Sequence, residues 1–166
     1  LLSPDGEPMG MLVDIWRAWG RAVDRPVSFL PMSWAETIQA VKSGVADIHS
    51  GLFHSSERDA WLNFSPPIYK VDTALYHLAD ADYADLESLA GQCVAVLAGS
   101  YQEALLRMEY PELELLSLPD GESMILALFR GEAKALVHEV PSVEAGLRRL
   151  GLQGALDRGS GVISSN

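Results

Sequence analysis

The chain has 166 residues, 48% of them hydrophobic and 21% charged, with a formal net charge of −11. This composition suits a folded protein with a hydrophobic core and does not suit a disordered chain. The acidic balance argues against a nucleic-acid partner, because contact with a phosphate backbone requires a basic face, and the 12 Lys and Arg residues are scattered. A small molecule is therefore the expected partner.

Targeting, redox and metal signals are few. No apolar run reaches the roughly 18 residues of a membrane span, and the opening LLSPDGEP lacks the regions of a signal peptide, so in an exported protein we expect the targeting segment to have been removed. Cys93 is the only cysteine, which excludes an internal disulfide, and its apolar surroundings predict a packing residue. The histidines lack metal-ligand spacing, so we predict no metal and no cofactor.

The first half of the chain alternates helical and strand-like segments. Apolar residues at three- and four-residue steps predict the first helix, and a capping box formed by Ser33 and Glu36 starts the second. Gly44 ends that helix in the way of a left-handed cap. In chain order, we predict a helix over 11–23, a strand over 27–30, a helix from 33 to 44 and a strand that begins at 46.

The second half repeats this alternation. Ser100 and Glu103 make another capping box, and Gly131 and Gly151 end two later helices. In chain order, we predict a strand over 71–78, a helical turn over 85–91, a strand over 93–97, a helix from 101, a strand over 113–118, a helix over 122–130, a strand over 134–138 and a helix from 141 to 151.

Two segments resemble each other. TIQAVKSGVADI, which begins at Thr37, and MILALFRGEAKA, which begins at Met124, share a helix, a glycine at the same step and a strand. This weak repeat predicts an α/β fold of two lobes, each a mostly parallel sheet flanked by helices. We assign residues 1–70 to the first lobe, 71–84 to a crossing strand and hinge, 85–157 to the second lobe and 158–166 to the start of a return segment.

Arg58 is a candidate carboxylate anchor. Its guanidinium is a planar fork that matches a carboxylate in two hydrogen bonds, and the predicted elements put it on a loop of the first lobe. The alternative is an exposed arginine paired with Glu57 or Asp59, since surface ion pairs are common and contribute little. Spacing alone favours the second interpretation.

Gly99, Ser100 and Tyr101 join a strand to a helix and could hold the other side of a carboxylate. A helix start presents unpaired N–H groups at the positive end of the dipole, and glycine lets an anion approach them. The equally weighted alternative is that Ser100 only caps its own helix.

Glu139 follows an apolar run at the predicted end of a strand. Ligands of open α/β sheets bind at the carboxyl ends of strands, where an acid can pair with an ammonium group, although a solvated acid is an equal alternative. Together the three features would match the charges of an α-amino acid. No GxSxG, P-loop, GxGxxG, HExxH or CxxC motif occurs, so binding is favoured over catalysis.

These residues resemble a known family. The segments GEPMGMLVDI, KSGVADI and SERDAWLNFSPPIY are similar to the first lobe of the bacterial extracellular solute-binding proteins of family 3, and DLxxLxGxxVAVxxGS with GEAKALVHEVPS is similar to the second. The resemblance covers essentially the whole chain, and the ERxxxxxFSPPxY segment is its most specific part. It implies a two-lobed periplasmic-binding-protein-like fold (type II) that closes on a ligand.

By motif position, the resemblance implies that Arg58 clamps the ligand α-carboxylate, which Ser100 meets from the second lobe beside Tyr101, while Glu139 receives the α-ammonium. It also implies that a first-lobe loop contributes contacts through Ser50, Gly51 and Phe53. Phe53 departs from the family, which commonly has a hydroxyl there, and would instead wall off or stack on a ligand. His54, Ser56, Lys134 and Ala135 stand at further departures.

The resemblance leaves the setting of the module open. Such modules serve as periplasmic subunits of ABC-type importers and as extracytoplasmic sensors of signalling proteins, and the ending LRRLGLQGALDRGSGVISSN favours a sensor. The chain resembles a module truncated at both ends. An enzyme similar to cyclohexadienyl dehydratases is the alternative, in which Glu139 would act as a general acid beside a carboxylate held by Arg58.

Overall fold

The computed structural model describes residue 3 and residues 5–165 of the chain. The chain divides into two compact units, Leu1–His54 (unit 1) and Ser55–Asn166 (unit 2). The lobe and hinge boundaries inferred from the sequence stay a prediction. In the described ranges, no helix is both long enough and apolar enough to cross a membrane.

Unit 1 contains two helices, α1 (Met11–Ala22) and α2 (Trp34–Lys42). At the start of α2, the Glu36 carboxylate accepts a hydrogen bond from the Ser33 N–H at 2.8 Å, which is the predicted capping box. Gly44 follows α2 with φ of +76°, a left-handed conformation that glycine adopts without strain. Both helices predicted for this half of the chain are confirmed.

The two strands predicted in unit 1 are wrong. Residues 27–30 and 46–48 form no strand in the described part of this unit. Alternating apolar side chains indicate which face of a segment is buried, but a strand also requires a hydrogen-bonded neighbour. No such ladder forms among the described residues of unit 1, so both segments are irregular.

Unit 2 is built on one sheet with helices on both faces. Its strands follow the spatial order β3-β2-β4-β1-β5, and β6 also pairs with β1. In chain order, its elements are α3 (Ser56–Asp59), β1 (Asp72–Leu78), a 3-10 turn (Glu87–Leu89), β2 (Cys93–Leu97), α4 (Tyr101–Glu109), β3 (Glu114–Leu118), α5 (Gly121–Phe129), β4 (Ala135–Glu139), α6 (Val140–Leu150), β5 (Leu156–Arg158) and β6 (Ser164–Ser165). The helices and strands predicted between residues 71 and 151 are confirmed to within a few residues.

The sheet combines parallel and antiparallel strands. β2 pairs in parallel with β3 and β4, whereas β1 is antiparallel to β4, β5 and β6. Neighbouring parallel strands need a crossover connection. Here α4 connects β2 to β3 and α5 connects β3 to β4, whereas only a 3-10 turn connects β1 to β2, which are not paired. The α/β architecture is as predicted, but the sheet is mixed rather than mostly parallel: β3, β2 and β4 form a parallel side, and β1 and β5 form an antiparallel side.

The hydrophobic core of unit 2 lies against both faces of the sheet. On one face, a cluster of buried apolar side chains packs between the sheet on one side and α4 and the 3-10 turn on the other. Its members are Leu75, Leu86, Leu89, Val94, Val96, Leu106, Leu113, Ala135 and Val137. On the other face, α5 contributes Met124, Ile125 and Leu128, all buried. Cys93 begins β2, where burial and the nearby Glu114 raise the pKa of its thiol. The rigid sheet fixes the positions of its strand ends.

Candidate ligand-binding site

The carboxyl ends of three parallel strands lie at one edge of the unit 2 sheet. β3, β2 and β4 are neighbours, and each leads into a helix within a few residues. The residues at the three helix starts are Ser100, Asp120 and Glu139, and we call this region the carboxyl-end edge. Helix starts present unpaired N–H groups, and open α/β sheets bind ligands outside the carboxyl ends of their strands. This edge is therefore the part of unit 2 best suited to a ligand.

Buried polar side chains are concentrated at the same edge. Thr73, Ser100, Gln102 and His138 are 0%, 4%, 3% and 7% exposed. Thr73 belongs to this edge because it pairs with Glu139 across β1 and β4. Another buried polar residue of the sheet, His77, lies at the opposite end, where it pairs with Ala135. Polar groups are costly to bury, so the presence of four of them at the carboxyl-end edge favours a functional role.

The Ser100 side chain caps α4. Its hydroxyl oxygen accepts a hydrogen bond from the Glu103 N–H at 3.1 Å, as the predicted capping box requires. Glu103 returns a bond in which its carboxylate accepts from the Gly99 N–H at 2.7 Å. The Gly99 N–H is therefore occupied from within the protein and is not a donor left for a ligand.

Two donors remain at the start of α4. A hydroxyl that accepts one hydrogen bond still has a proton to donate, so Ser100 can bind an acceptor while it caps the helix. The Gln102 N–H, in the first turn, has no acceptor among the described residues. Tyr101, the first residue of α4, lies between these two donors in sequence. A ligand carboxylate can accept from both groups.

Glu103 organises this loop as a charged group. Burial disfavours its charge, but hydrogen bonds from Ser117, Arg107 and Gly99 outweigh burial and hold its pKa below the ordinary value. The Arg107 guanidinium donates to the Glu103 carboxylate at 2.8 Å. The negative charge of Glu103 is thus balanced within the protein, which limits its repulsion of a bound anion.

A buried hydrogen bond joins α4 to β1. The Gln102 side-chain amide donates to the Thr73 hydroxyl at 3.0 Å, and both side chains are buried. Because the bond is shielded from water, loss of either partner leaves a polar group unsatisfied. The contact therefore fixes the first turn of α4 against the sheet.

Glu139 ends β4 and stands at the start of α6. Its carboxylate accepts a hydrogen bond from the Ser142 hydroxyl at 3.0 Å and retains capacity for another donor. Burial, and secondarily the charge of Glu139, raise the pKa of Tyr69. The end of the segment SERDAWLNFSPPIY accordingly lies near Glu139. An ammonium group placed here would meet a carboxylate and a phenol.

His138 lies directly beside Glu139 and is buried. Its Nδ1 atom has no hydrogen-bond partner in the described structure, and its Nε2 atom lies against Gly121 at the start of α5. Burial lowers the pKa of His138, and the charge of Glu139 opposes this effect. The imidazole is therefore favoured in its neutral form.

Arg58 occupies the short helix α3, whose start is capped by Ser55. Its backbone N–H donates to the Ser55 hydroxyl at 3.4 Å, and its side chain is 8% exposed. Burial lowers the pKa of the guanidinium, and Glu57 opposes the shift, but an arginine stays charged in either case. The exposed position considered above is excluded by this burial.

The candidate residues of unit 1 follow one another in a loop. Ser50 is exposed, whereas Gly51 and Phe53 are half-buried. The Ser50 carbonyl accepts a hydrogen bond from the Trp16 indole at 2.8 Å, and the Gly51 N–H donates to His49 at 3.3 Å. The loop is thus held by its own unit through backbone groups.

The structure brings Ser100 and Glu139 to one edge and places Arg58 in the same unit. Sequence reasoning missed Thr73, Gln102, His138 and Tyr69. The signal that could have revealed Thr73 and His138 is a polar residue that interrupts an apolar strand beside a predicted strand end.

Fold and site together define a solute-binding protein of the bacterial extracellular type. The chain belongs to the bacterial extracellular solute-binding proteins, family 3, whose pattern matches residues 1–158. This match confirms the resemblance found in the sequence.

Relatives include sensor proteins. The chain is 30% identical to the virulence sensor protein BvgS of Bordetella pertussis over 103 residues, and 29% identical to that of Bordetella bronchiseptica over 103 residues. The aligned region is 61% of this chain and only 8% of the Bordetella pertussis protein. A solved histidine kinase sensor domain with similarity to periplasmic binding proteins shares 26% identity at a TM-score of 0.91, covering 99% of this chain and 72% of that chain.

Other solved structures share the fold. Holo ArgBP from T. maritima has a TM-score of 0.87 at 23% identity, covering 99% of this chain and 73% of its own. The solute receptor for L-cysteine of Neisseria gonorrhoeae has a TM-score of 0.85 at 22% identity, covering 99% and 68% respectively. The predicted periplasmic-binding-protein-like α/β fold is therefore confirmed.

Proposed function

We propose that this chain is the ligand-binding module of a bacterial signalling protein and that it binds an amino acid or a related small carboxylate outside the cytoplasmic membrane. Family membership supports solute binding. The relatives with sensor functions are 30% and 26% identical, against 23% for the arginine-binding protein and 22% for the cysteine receptor. This difference favours a periplasmic sensor over a transport subunit.

The observation that carries the proposal is the group of four buried polar side chains at the carboxyl-end edge. Ser100 and Glu139 follow neighbouring parallel strands, which lie about 5 Å apart. A ligand carboxylate would accept from the Ser100 hydroxyl and the Gln102 N–H, while its ammonium group would donate to Glu139. Charge-assisted bonds of this kind are about twice as strong as neutral ones.

Arg58 is proposed as the main carboxylate anchor. A buried guanidinium favours an anion strongly, because water competes little for its hydrogen bonds. On unit 1, we propose that Ser50 and Gly51 offer polar contacts and that Phe53 packs against the ligand side chain. Tyr101 is proposed as a further contact at the start of α4. An aromatic wall favours a ligand whose side chain is apolar or planar.

Signalling would follow from differential affinity. A ligand that binds one conformation of the module more tightly shifts the population toward it, by no more than the difference in binding free energy. A membrane-bound partner domain in the same protein would respond to that shift. Binding alone, without turnover, is sufficient for this function.

A thermal-shift screen of the complete natural ligand-binding region tests the proposal. The panel is the 20 common L-amino acids with small carboxylates and amines as comparison sets. A true ligand at about 100 times its Kd adds about 2.7 kcal/mol to the free energy of unfolding, equivalent to roughly 5–10 °C in Tm. The expected result is a rise for one or a few amino acids and none for simple amines. A panel without any shift, or shifts with amines alone, would overturn the proposal.

A further inference from the structure

A histidine stands directly ahead of the candidate loop of unit 1. The His49 Nδ1 atom accepts a hydrogen bond from the Gly51 N–H at 3.3 Å. On its other side, the Nε2 atom lies 3.0 Å from the Thr37 hydroxyl in α2. One imidazole therefore links the backbone of the loop to a helix.

The proton positions in this chain of bonds follow from donor and acceptor counts. The Thr37 hydroxyl has one proton, which it donates to the Trp34 carbonyl at 2.5 Å. Its oxygen can then only accept from His49, so the Nε2 atom carries the proton. The Nδ1 atom must be unprotonated to accept from Gly51. Both ends of the ring require the same neutral Nε2–H tautomer.

Independent contacts hold the same loop from α1. The Trp16 indole donates to the Ser50 carbonyl at 2.8 Å. A Cβ atom on Gly51 would lie 3.3 Å from a Leu12 methyl carbon, so the glycine backbone packs closely against α1. The Trp34 ring meets the His49 ring edge-on at a centroid distance of 5.5 Å, which restricts rotation of the imidazole.

These bonds decide which groups of the loop remain for a ligand. The Ser50 carbonyl and the Gly51 N–H are both used internally. The Ser50 side chain is exposed, and its hydroxyl makes no hydrogen bond among the described residues. The Ser50 hydroxyl and the Gly51 carbonyl therefore remain for a ligand, whereas the Ser50 carbonyl and the Gly51 N–H do not.

We propose that His49 is a positioning residue, which in its neutral Nε2–H form ties the Ser50–Gly51 loop to α2 and presents the Ser50 hydroxyl to the ligand. This inference rests on the proposed function, because it assumes that the loop contacts a solute. The loop anchor itself does not depend on any ligand. The two parts can therefore be tested apart.

Three variants separate the anchor from general packing. His49→Phe keeps a planar ring and removes both nitrogen atoms. His49→Asn keeps an acceptor for the Gly51 N–H, since asparagine commonly accepts from the N–H two residues ahead in an Asx-turn. Thr37→Val removes the acceptor of the Nε2 proton at nearly constant volume.

The anchor is measured without ligand. Long-range proton–nitrogen NMR should show His49 as the Nε2–H tautomer at neutral pH, and amide exchange at Gly51 should become about fivefold faster in His49→Phe, the factor expected for one hydrogen bond. His49→Asn should restore slow exchange. An Nδ1–H tautomer, or unchanged exchange in His49→Phe, would overturn the anchor.

The presentation of Ser50 is measured by calorimetry with the L-amino acid that gives the largest thermal shift in the wild-type protein. His49→Phe and Ser50→Ala should each weaken binding about fivefold, and His49→Asn should bind like wild type. Faster exchange with unchanged affinity would overturn the positioning role. If no amino acid binds the wild-type protein, the proposed function and the presentation of Ser50 both fall, while the exchange data still decide the anchor.

Discussion

Arg58→Ala should abolish most of the affinity for a carboxylate ligand. Arg58 is 8% exposed, so water competes little for the hydrogen bonds of its guanidinium. Removal of the guanidinium leaves the ligand carboxylate without this partner, and loss of one partner of a buried charge pair costs on the order of 2–4 kcal/mol. This cost corresponds to a Kd increase of roughly 30- to 1,000-fold.

Arg58→Lys gives an intermediate case that tests the geometry of the contact. Lysine keeps the charge but loses the planar fork, so it can make only part of the bidentate interaction. We expect its affinity to lie between those of wild type and Arg58→Ala. Arg148→Ala is the matched control, because this arginine lies in the same unit with a side chain 61% exposed and meets Glu144 only at 4.0 Å.

Isothermal titration calorimetry with the best amino acid of the thermal-shift panel measures these affinities. The Tm of each ligand-free variant shows whether it is folded at the temperature of the titration. Arg148→Ala should change Kd by less than about threefold, since exposed charges are well screened. If Arg58→Ala is folded and binds as tightly as Arg148→Ala, Arg58 is not the anchor.

Three further predictions concern the carboxyl-end edge. Glu139→Gln should weaken amino-acid binding by about 2 kcal/mol in calorimetry. The same variant should bind an analogue without the ammonium group nearly as tightly as wild type does. Equal losses of affinity for both ligands would refute the proposal that Glu139 receives the ammonium group. Gln102→Leu should lower the free energy of unfolding by about 1–3 kcal/mol in urea titrations, because it leaves the buried Thr73 hydroxyl unsatisfied, and adding Thr73→Val should recover part of the loss. Burial lowers the pKa of His138 in the folded state, so as the pH falls below about 6.5 the unfolded chain takes up a proton there before the folded chain does. The free energy of unfolding should therefore decrease as the pH falls. In His138→Leu this part of the pH dependence should be absent.

The helices were predictable because their signals are local. The capping box of Ser33 and Glu36 and the cap of Ser100 on Glu103 each span three residues, and the structure contains both. The strand over 27–30 was wrong because strand formation depends on a partner elsewhere in the chain, which side-chain alternation does not encode. The antiparallel direction of β1 escaped prediction for the same reason.

In the candidate site, too, the residues with local sequence signals were predictable and those that depend on long-range contacts were not. Ser100 and Glu139 were predictable as site residues because each follows an apolar run at a strand end, a local pattern. The bond between Gln102 and Thr73 spans 29 residues of sequence and was invisible before the sheet was known. The burial of Arg58 could not be predicted either, because most arginines are exposed and the burial of a particular one depends on tertiary packing.

Charge at the carboxyl-end edge narrows the class of ligand. The starts of α4, α5 and α6 would each attract an anion, but Glu103, Asp120 and Glu139 already accept hydrogen bonds there. One ligand carboxylate can be accommodated by Arg58 and the Ser100 hydroxyl. Arg107 balances the charge of Glu103, and the ligand ammonium group would balance that of Glu139. A second carboxylate on the ligand side chain would still face Asp120, which makes no ion pair among the described residues, so a zwitterion with a neutral or basic side chain is the expected ligand class.

L-glutamine and L-glutamate test this argument as a nearly isosteric pair that differs by one negative charge. Repulsion from one acid about 8–10 Å away costs about 2 kcal/mol at an effective dielectric constant of 20, which predicts that L-glutamine binds roughly 15- to 35-fold more tightly. The gap should narrow as salt is raised, because part of the repulsion passes through solvent. Competition calorimetry at two salt concentrations measures both effects. Tighter binding of L-glutamate would mean that an unrecognised cation faces the ligand side chain, and the charge argument would then be refuted.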